Sequence, residues 1–311
     1  MSLLVTGSIG IDTVEAPWGK VQDALGGSSI YFAQAASFFS PVRLVGVVGD
    51  DCPSDFLKPL LENPRIDMAG LERRAGSKTF RWHGRYSEDV NLRDTLAVEL
   101  NVLAERSPDI PAAFRDSGLV FLANTHPALQ RGLLGQLEGR PYVVADTMDL
   151  WIDNEKPTLL ELIGLLDGFV LNDSEARQLA GDKNTILAGL RLAALVGKAR
   201  KGRGKKAGWL IVKKGEHGSL LFLGEGVFAL PSYPARKVVD PTGAGDSFAG
   251  AMMGYLASVG RVTPTSLRKA IAYGTVTASF TLEDFSLSGL LSVSREQIDL
   301  RLDEYKKMLR L

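Results

Sequence analysis

The sequence predicts an α/β fold: a doubly wound, mostly parallel sheet flanked by helices, with a small separate β-sheet. Three observations carry this. Short apolar runs rich in Val, Ile, Leu and Phe recur along the chain, as buried parallel strands require. Helix-length segments lie between them. One segment, Thr79–Tyr86, breaks the pattern by alternating in polarity. With 311 residues, 45% of them apolar, the chain is long enough to bury a large core.

The elements follow in order. Leu3–Ser8 is a short apolar strand. Gly26-Gly27 makes a turn, and Ser28–Phe39 a helix with Ala33, Ala36 and Phe39 at helical spacing. Val42–Val48 is a β-branched strand with Gly49-Asp50-Asp51 as its exit loop, and Phe56–Leu61 is helical. Thr79–Tyr86 sets Phe80, Trp82 and Tyr86 on one face and Arg81, His83 and Arg85 on the other. With the extended stretch Thr13–Leu25 it forms a small separate sheet; the alternative is an edge strand packed on the main domain. Leu119–Leu122, Tyr142–Ala145, Phe169–Asn172 and Leu210–Val212 are further buried strands. Pro127–Leu137, Leu159–Leu166, Glu175–Ala180 and Thr185–Val196 are helices between them. Functional residues in such sheets gather at the C-terminal strand ends.

Charge excludes several classes of function. Lys+Arg and Asp+Glu both number 36, so no global field favours nucleic acid or an acidic membrane. Lys198–Lys206 holds six basic residues in nine positions without aromatic residues between them, which reads as a solvated loop. The one cysteine, Cys52, forbids an intrachain disulfide and suits a reducing cytoplasm. No signal peptide is expected, because the N-terminus lacks a basic region. The longest uncharged run, Ala24 to Val42, reads as a buried loop and helix.

The most informative stretch is Val239-Asp240-Pro241-Thr242-Gly243-Ala244-Gly245-Asp246-Ser247-Phe248-Ala249-Gly250. Glycines at 243 and 245 let successive N–H groups point into one concavity. A helix start there adds unpaired donors and partial positive charge, which makes an anion site. Asp246 falls in the first helical turn, where a carboxylate can accept a proton from an attacking hydroxyl. Asn172-Asp173-Ser174-Glu175 lies at a strand-to-helix junction. Its oxygens suit hydrated magnesium, and equally a helix cap with Glu at the third helical position.

These residues resemble the signatures of the ribokinase-like (PfkB) carbohydrate kinases, and the resemblance runs from Gly7 to about Gly289. It implies Asp246 as catalytic base and Gly243, Ala244 and Gly245 as the anion hole. Asp240 and Thr242 match positions that hold a monovalent cation such as K⁺ in some members. Asn172 and Glu175 match the second signature, linked to magnesium and phosphate placement. Ile211–Gly218 resembles the loop beside the nucleotide phosphates, with Lys213, Gly215 and Gly218 matching; many members have Thr at the place of Lys213. Asp12, Gly26 and Gly27 match the substrate-binding aspartate, at the end of the first strand, and the di-glycine. The chain departs from the pattern at Gly10 and Tyr31, where two sugar-facing amides are missing; Asn124 is the substitute contact.

The resemblance implies one ribokinase-like domain over 1–311, with a lid from about 13–25 and 76–100 that often doubles as a dimer interface. The expected activity is transfer from ATP, with Mg²⁺, to a hydroxyl of a small sugar or sugar-like acceptor. A nucleoside kinase is the alternative, with Phe80, Trp82 and Tyr86 stacking on a base beside Tyr31. A catalytically silent sensor is a third reading, and the intact Asp246 argues against it. No P-loop motif is present. Expected partners are ATP and the small acceptor, with a homodimer through the lid, and neither nucleic acid nor membrane.

Overall fold

The computed structural model describes residues 1–199 and 208–309. The strands are β1 (Leu3–Thr6), β2 (Gly10–Ala16), β3 (Gly19–Gly26), β4 (Val42–Gly49), β5 (Ile66–Arg74), β6 (Phe80–Tyr86), β7 (Arg93–Glu99), β8 (Leu119–Leu122), β9 (Tyr142–Asp146), β10 (Gly168–Asn172), β11 (Trp209–Lys213), β12 (Ser219–Leu223) and β13 (Gly226–Leu230). The helices are α1 (Ser28–Ser37), α2 (Lys58–Leu61), α3 (Pro127–Leu134), α4 (Asp149–Asn154), α5 (Lys156–Leu165), α6 (Asp173–Ala180), α7 (Thr185–Ala193), α8 (Ala244–Val259), α9 (Pro264–Thr281), α10 (Ser288–Leu291) and α11 (Arg295–Met308). Of the basic run 198–206, residues from 200 onward lie outside the described residues, and so does the solvated-loop reading of them.

Nine strands form the main sheet in the order β13-β12-β11-β10-β9-β8-β1-β4-β5. Pairing is parallel from β11 through to β5, and β12 and β13 add antiparallel to the β11 edge. The period of two splits each central strand between two cores. Leu3, Val5 and Phe121 join a core with α1, α8, α9 and α11. Leu4, Val120 and Leu122 join the opposite core with α3, α5, α6 and α7. Among the described residues, no helix is long and apolar enough to cross a membrane.

Helices α1 and α8 approach at backbone distance. A Cβ added at Gly250 or Gly254 would stand 2.3 Å from the Phe32 carbonyl oxygen or 2.6 Å from that of Ala36. This contact fixes the start of α8 relative to the start of α1, and both ends face the same cleft.

The second sheet has the order β3-β2-β6-β7. Thr79–Tyr86 therefore lies inside a separate sheet, and the edge-strand alternative does not hold. Thr13–Leu25 is a hairpin arm rather than one extended piece, and the lid begins earlier than residue 13, at Gly10. The first strand ends at Thr6, so Asp12 belongs to the lid strand β2 and not to the end of the first strand. Strands β5 and β7 escape a search for apolar runs because they lie at sheet edges. Their exposed positions carry charges such as Asp67 and Arg73, or Asp94 and Glu99.

Candidate active site

A cleft of ≈ 620 Å³ runs between the lid and the C-terminal strand ends of the main sheet. Most of the sequence-predicted site residues line it: Asp12, Gly27, Asn124, Asn172, Glu175, Lys213, Gly215, Gly218, Thr242 and Gly243 to Asp246. Gly26 and Asp240 stand just behind this surface.

The end of the cleft expected to take the acceptor is built from β2, β6 and the α1 turn. Parallel register pairs Asp12 with Trp82, so a carboxylate and an aromatic ring share one face beside Phe80 and Tyr86. Gly26 exists to admit Asp12, because a Cβ there would lie 1.9 Å from the Asp12 Oδ2. Asp12 is 5% exposed and its Oδ1 has no hydrogen-bond partner. Burial pushes its carboxyl up to about 7, against the Gly27 N–H that lowers it; the charges of Asp240 and Asp246 add to the rise. The opposite face of β6 meets carboxylates instead: Arg81 pairs with Asp51, and His83 and Arg85 with Glu15. Asn124 lines the cleft, but its carbonyl oxygen accepts from the Trp151 indole at 2.8 Å. That oxygen is thus committed to the protein, which weakens the reading of Asn124 as an acceptor contact.

The middle of the cleft is the start of α8. Gly243 is its N-cap at φ 77°, and no side chain caps the helix. Ala244 N–H donates to the Pro241 carbonyl at 3.2 Å, a turn bond with which an incoming anion competes. Asp246 follows in the first turn. Burial raises its carboxyl to about 6, opposed by the Lys213 and Arg93 charges. The Lys213 Nζ stands 2.4 Å from where a Gly245 Cβ would be, so the ammonium hangs over the helix start. Asp240 is buried; its Oδ1 accepts the Thr242 N–H at 2.8 Å and its Oδ2 the Ser286 N–H at 3.5 Å.

The end expected to take the nucleotide lies at the tips of β10 and β11, where Asn172 and Lys213 are register partners. Asn172 and Glu175 form a full capping box, each side chain taking the other's backbone N–H at 2.8 Å. The two readings of this pair are therefore compatible. Glu175 caps α6 and still borders the cleft, with burial pushing it up to about 7 against the charge of Lys213. Gly215 and Gly218 flank a short 3₁₀ turn, and His217 points to solvent.

Other residues of the cleft were not legible as such. Asp146, one residue past the predicted strand Tyr142–Ala145, is buried with an unpartnered Oδ1, and the Thr147 hydroxyl beside it is also unpartnered. Burial and the neighbouring Asp246 charge hold Asp146 well above the usual carboxylate range. Its place at a strand end was the available signal. Arg93, on β7, bonds Asp149 at 3.4 Å and lies over the Trp82 ring at 5.7 Å. Among the described residues no three His, Cys, Asp or Glu side chains form a metal cage. The acidic groups present fit a hydrated ion carried mainly on phosphates, the usual manner of magnesium.

Residues 140–292 match the family model of the pfkB family carbohydrate kinases. The chain is 29% identical over 272 residues to the cytidine kinase of Thermococcus kodakarensis, covering 85% of this chain and 90% of that protein. Among solved structures, the nucleoside kinase of Methanocaldococcus jannaschii superposes with a TM-score of 0.75 at 21% identity, over 98% of this chain and 99% of that one. The ribokinase of Thermotoga maritima does so with a TM-score of 0.74 at 21% identity, over 97% and 99%. These likenesses show the ribokinase-like fold across the whole length.

Proposed function

Because residues 140–292 match the pfkB family of carbohydrate kinases, which transfer a phosphoryl group to an alcohol, we propose that the chain phosphorylates a nucleoside hydroxyl from MgATP. One observation carries the reaction: Asp246, the uncapped helix start at Gly243 and the Lys213 ammonium converge in a single cleft. The likeness to a cytidine kinase over most of the chain supports the acceptor, as does the aromatic wall of Phe80, Trp82 and Tyr86. A free sugar is the second reading, favoured by Asp12, whose buried free oxygen suits a sugar hydroxyl.

In this reading the acceptor lies between Asp12 and the lid rings, its reactive hydroxyl at Asp246. The Asp246 carboxylate accepts the hydroxyl proton as the oxygen attacks in line. Amides of Gly243 to Gly245 and the Lys213 ammonium face the charge on the transferring group. Glu175 would hold magnesium on the nucleotide through water, and the ion would supply neutralisation of phosphate charge. Asp240 and Thr242 shape the turn from below and are the candidate monovalent-cation ligands. The lid excludes water, which strengthens these charges, and its outer face is the candidate dimer surface.

The test is turnover of MgATP with a panel of ribose, fructose, cytidine, uridine, adenosine and inosine, for the wild type and Asp246→Asn. The variant should lose at least about a hundredfold in kcat, the scale of a lost general base, and bind MgADP normally. Near-normal turnover by Asp246→Asn would overturn the assignment. A preference for free sugars would move the acceptor to the second reading.

A further inference from the structure

Tyr31 is the buried phenol of the cleft, 2% exposed, and the mechanism above gives it no task. It sits in the first turn of α1, its N–H on the Gly27 carbonyl at 3.4 Å, so its backbone is tied to the acceptor side. Its ring lies on the other side of the boundary. A Cβ at Gly243 would stand 2.3 to 2.4 Å from three ring carbons, so the ring is seated directly on the Gly243 Cα.

Ser286 is a non-glycine residue at φ 53°. Its N–H donates to Asp240, and its Oγ donates to the Leu25 carbonyl at 2.6 Å. Asp240 in turn holds the Thr242 N–H. The turn 240–243 is thus held through Asp240 and by the Tyr31 ring on Gly243. Burial, with the charges of Asp12, Asp240 and Asp246, keeps the phenol protonated.

An anion hole works only when its donors are fixed before the charge develops. A turn with glycines at 243 and 245 is the backbone least able to fix itself. Close packing of α8 on α1 at Gly250 and Gly254 makes Tyr31 a rigid wedge beneath that turn. We propose that Tyr31 is the positioning residue of the anion hole, holding Gly243 in the geometry that receives the transferring phosphoryl group. The inference rests on the reading of Gly243 to Asp246 given above.

The test compares Tyr31→Phe and Tyr31→Leu with the wild type. The assays are steady-state kinetics with MgATP and the fastest acceptor of the panel, binding of MgADP with and without aluminium fluoride, and thermal melting. Tyr31→Phe keeps the ring on Gly243 and should hold kcat and both KM values within about twofold of the wild type. Tyr31→Leu should lower kcat at least about a hundredfold, the scale of a lost oxyanion donor. It should weaken the aluminium fluoride complex similarly while MgADP alone binds as before. Unchanged kcat in Tyr31→Leu overturns the proposal, as does a loss in Tyr31→Phe as large as that in Tyr31→Leu, or a loss confined to the acceptor KM, which makes Tyr31 a substrate contact. Should the Leu variant melt at assay temperature, Tyr31→Met, which also removes the ring, decides in its place. A fully active Asp246→Asn would instead remove the underlying reading.

Discussion

The Thr242 hydroxyl donates to the Tyr86 hydroxyl across 3.3 Å, joining the turn before α8 to a lid strand 156 residues away. The cross-strand partner of Tyr86 is Arg93, which reaches Asp149 on the opposite wall. One pair of lid residues therefore touches both sides of the cleft above Asp246. A Tyr86→Phe variant should keep its fold and raise the acceptor KM about threefold to tenfold, the worth of one hydrogen bond, with the ATP KM little changed. Steady-state kinetics check this, and an unchanged acceptor KM would mean that the contact does not help hold the lid.

Glu175 caps α6 and borders the nucleotide end, and Glu175→Gln separates the two roles. Glutamine serves at the third position of a capping box as glutamate does, so stability should change by less than about 1 kcal/mol. The carboxylate charge is lost, so the magnesium concentration for half activity should rise at least about threefold. An unmoved magnesium titration with normal melting would leave Glu175 with the cap alone.

The raised carboxylates make a pH prediction with a definite sign. Asp12 and Glu175 are pushed up to about 7 in the folded protein, from ordinary values of 3.8 and 4.5. The folded state therefore binds protons more tightly than the unfolded chain. Their contribution to stability is fully present below about pH 4 and is lost as pH rises through 7. The ligand-free protein should melt at progressively lower temperature between those limits, and Asp12→Asn should flatten part of that slope. Glu15, lowered to about 2 by Arg85 and Lys20, acts with the opposite sign and only below its ordinary value of 4.5. Turnover should rise through about pH 6 as Asp246 ionises. A melting temperature that climbs from pH 5 to 8 in the wild type, equally in Asp12→Asn, would refute the linkage.

Much of this molecule was legible from local pattern. The buried parallel strands announce themselves because both faces are covered, so Leu119–Leu122 and Leu210–Val212 are apolar throughout. The alternation of Phe80, Trp82 and Tyr86 survives into the structure and lines the cleft. Edge strands β5 and β7 carry charge on their free sides and were hidden for that reason. Asp146 and Arg93 carry no motif; only the juxtaposition of β9, the lid and α8 makes them part of the cleft.

The sequence by itself carried the likeness to the pfkB carbohydrate kinases, the α/β architecture and the candidate base, Asp246. Glycines 243 and 245 before Asp246 state a backbone requirement and a chemistry within a few residues. Tertiary structure alone decided what surrounds that group. It placed Asp12 on a lid strand beside Trp82, hung Lys213 over Gly245 and seated Tyr31 beneath Gly243. These relations join residues tens to hundreds of positions apart. They follow from strand register and from the close packing of α1 on α8, which no local pattern encodes.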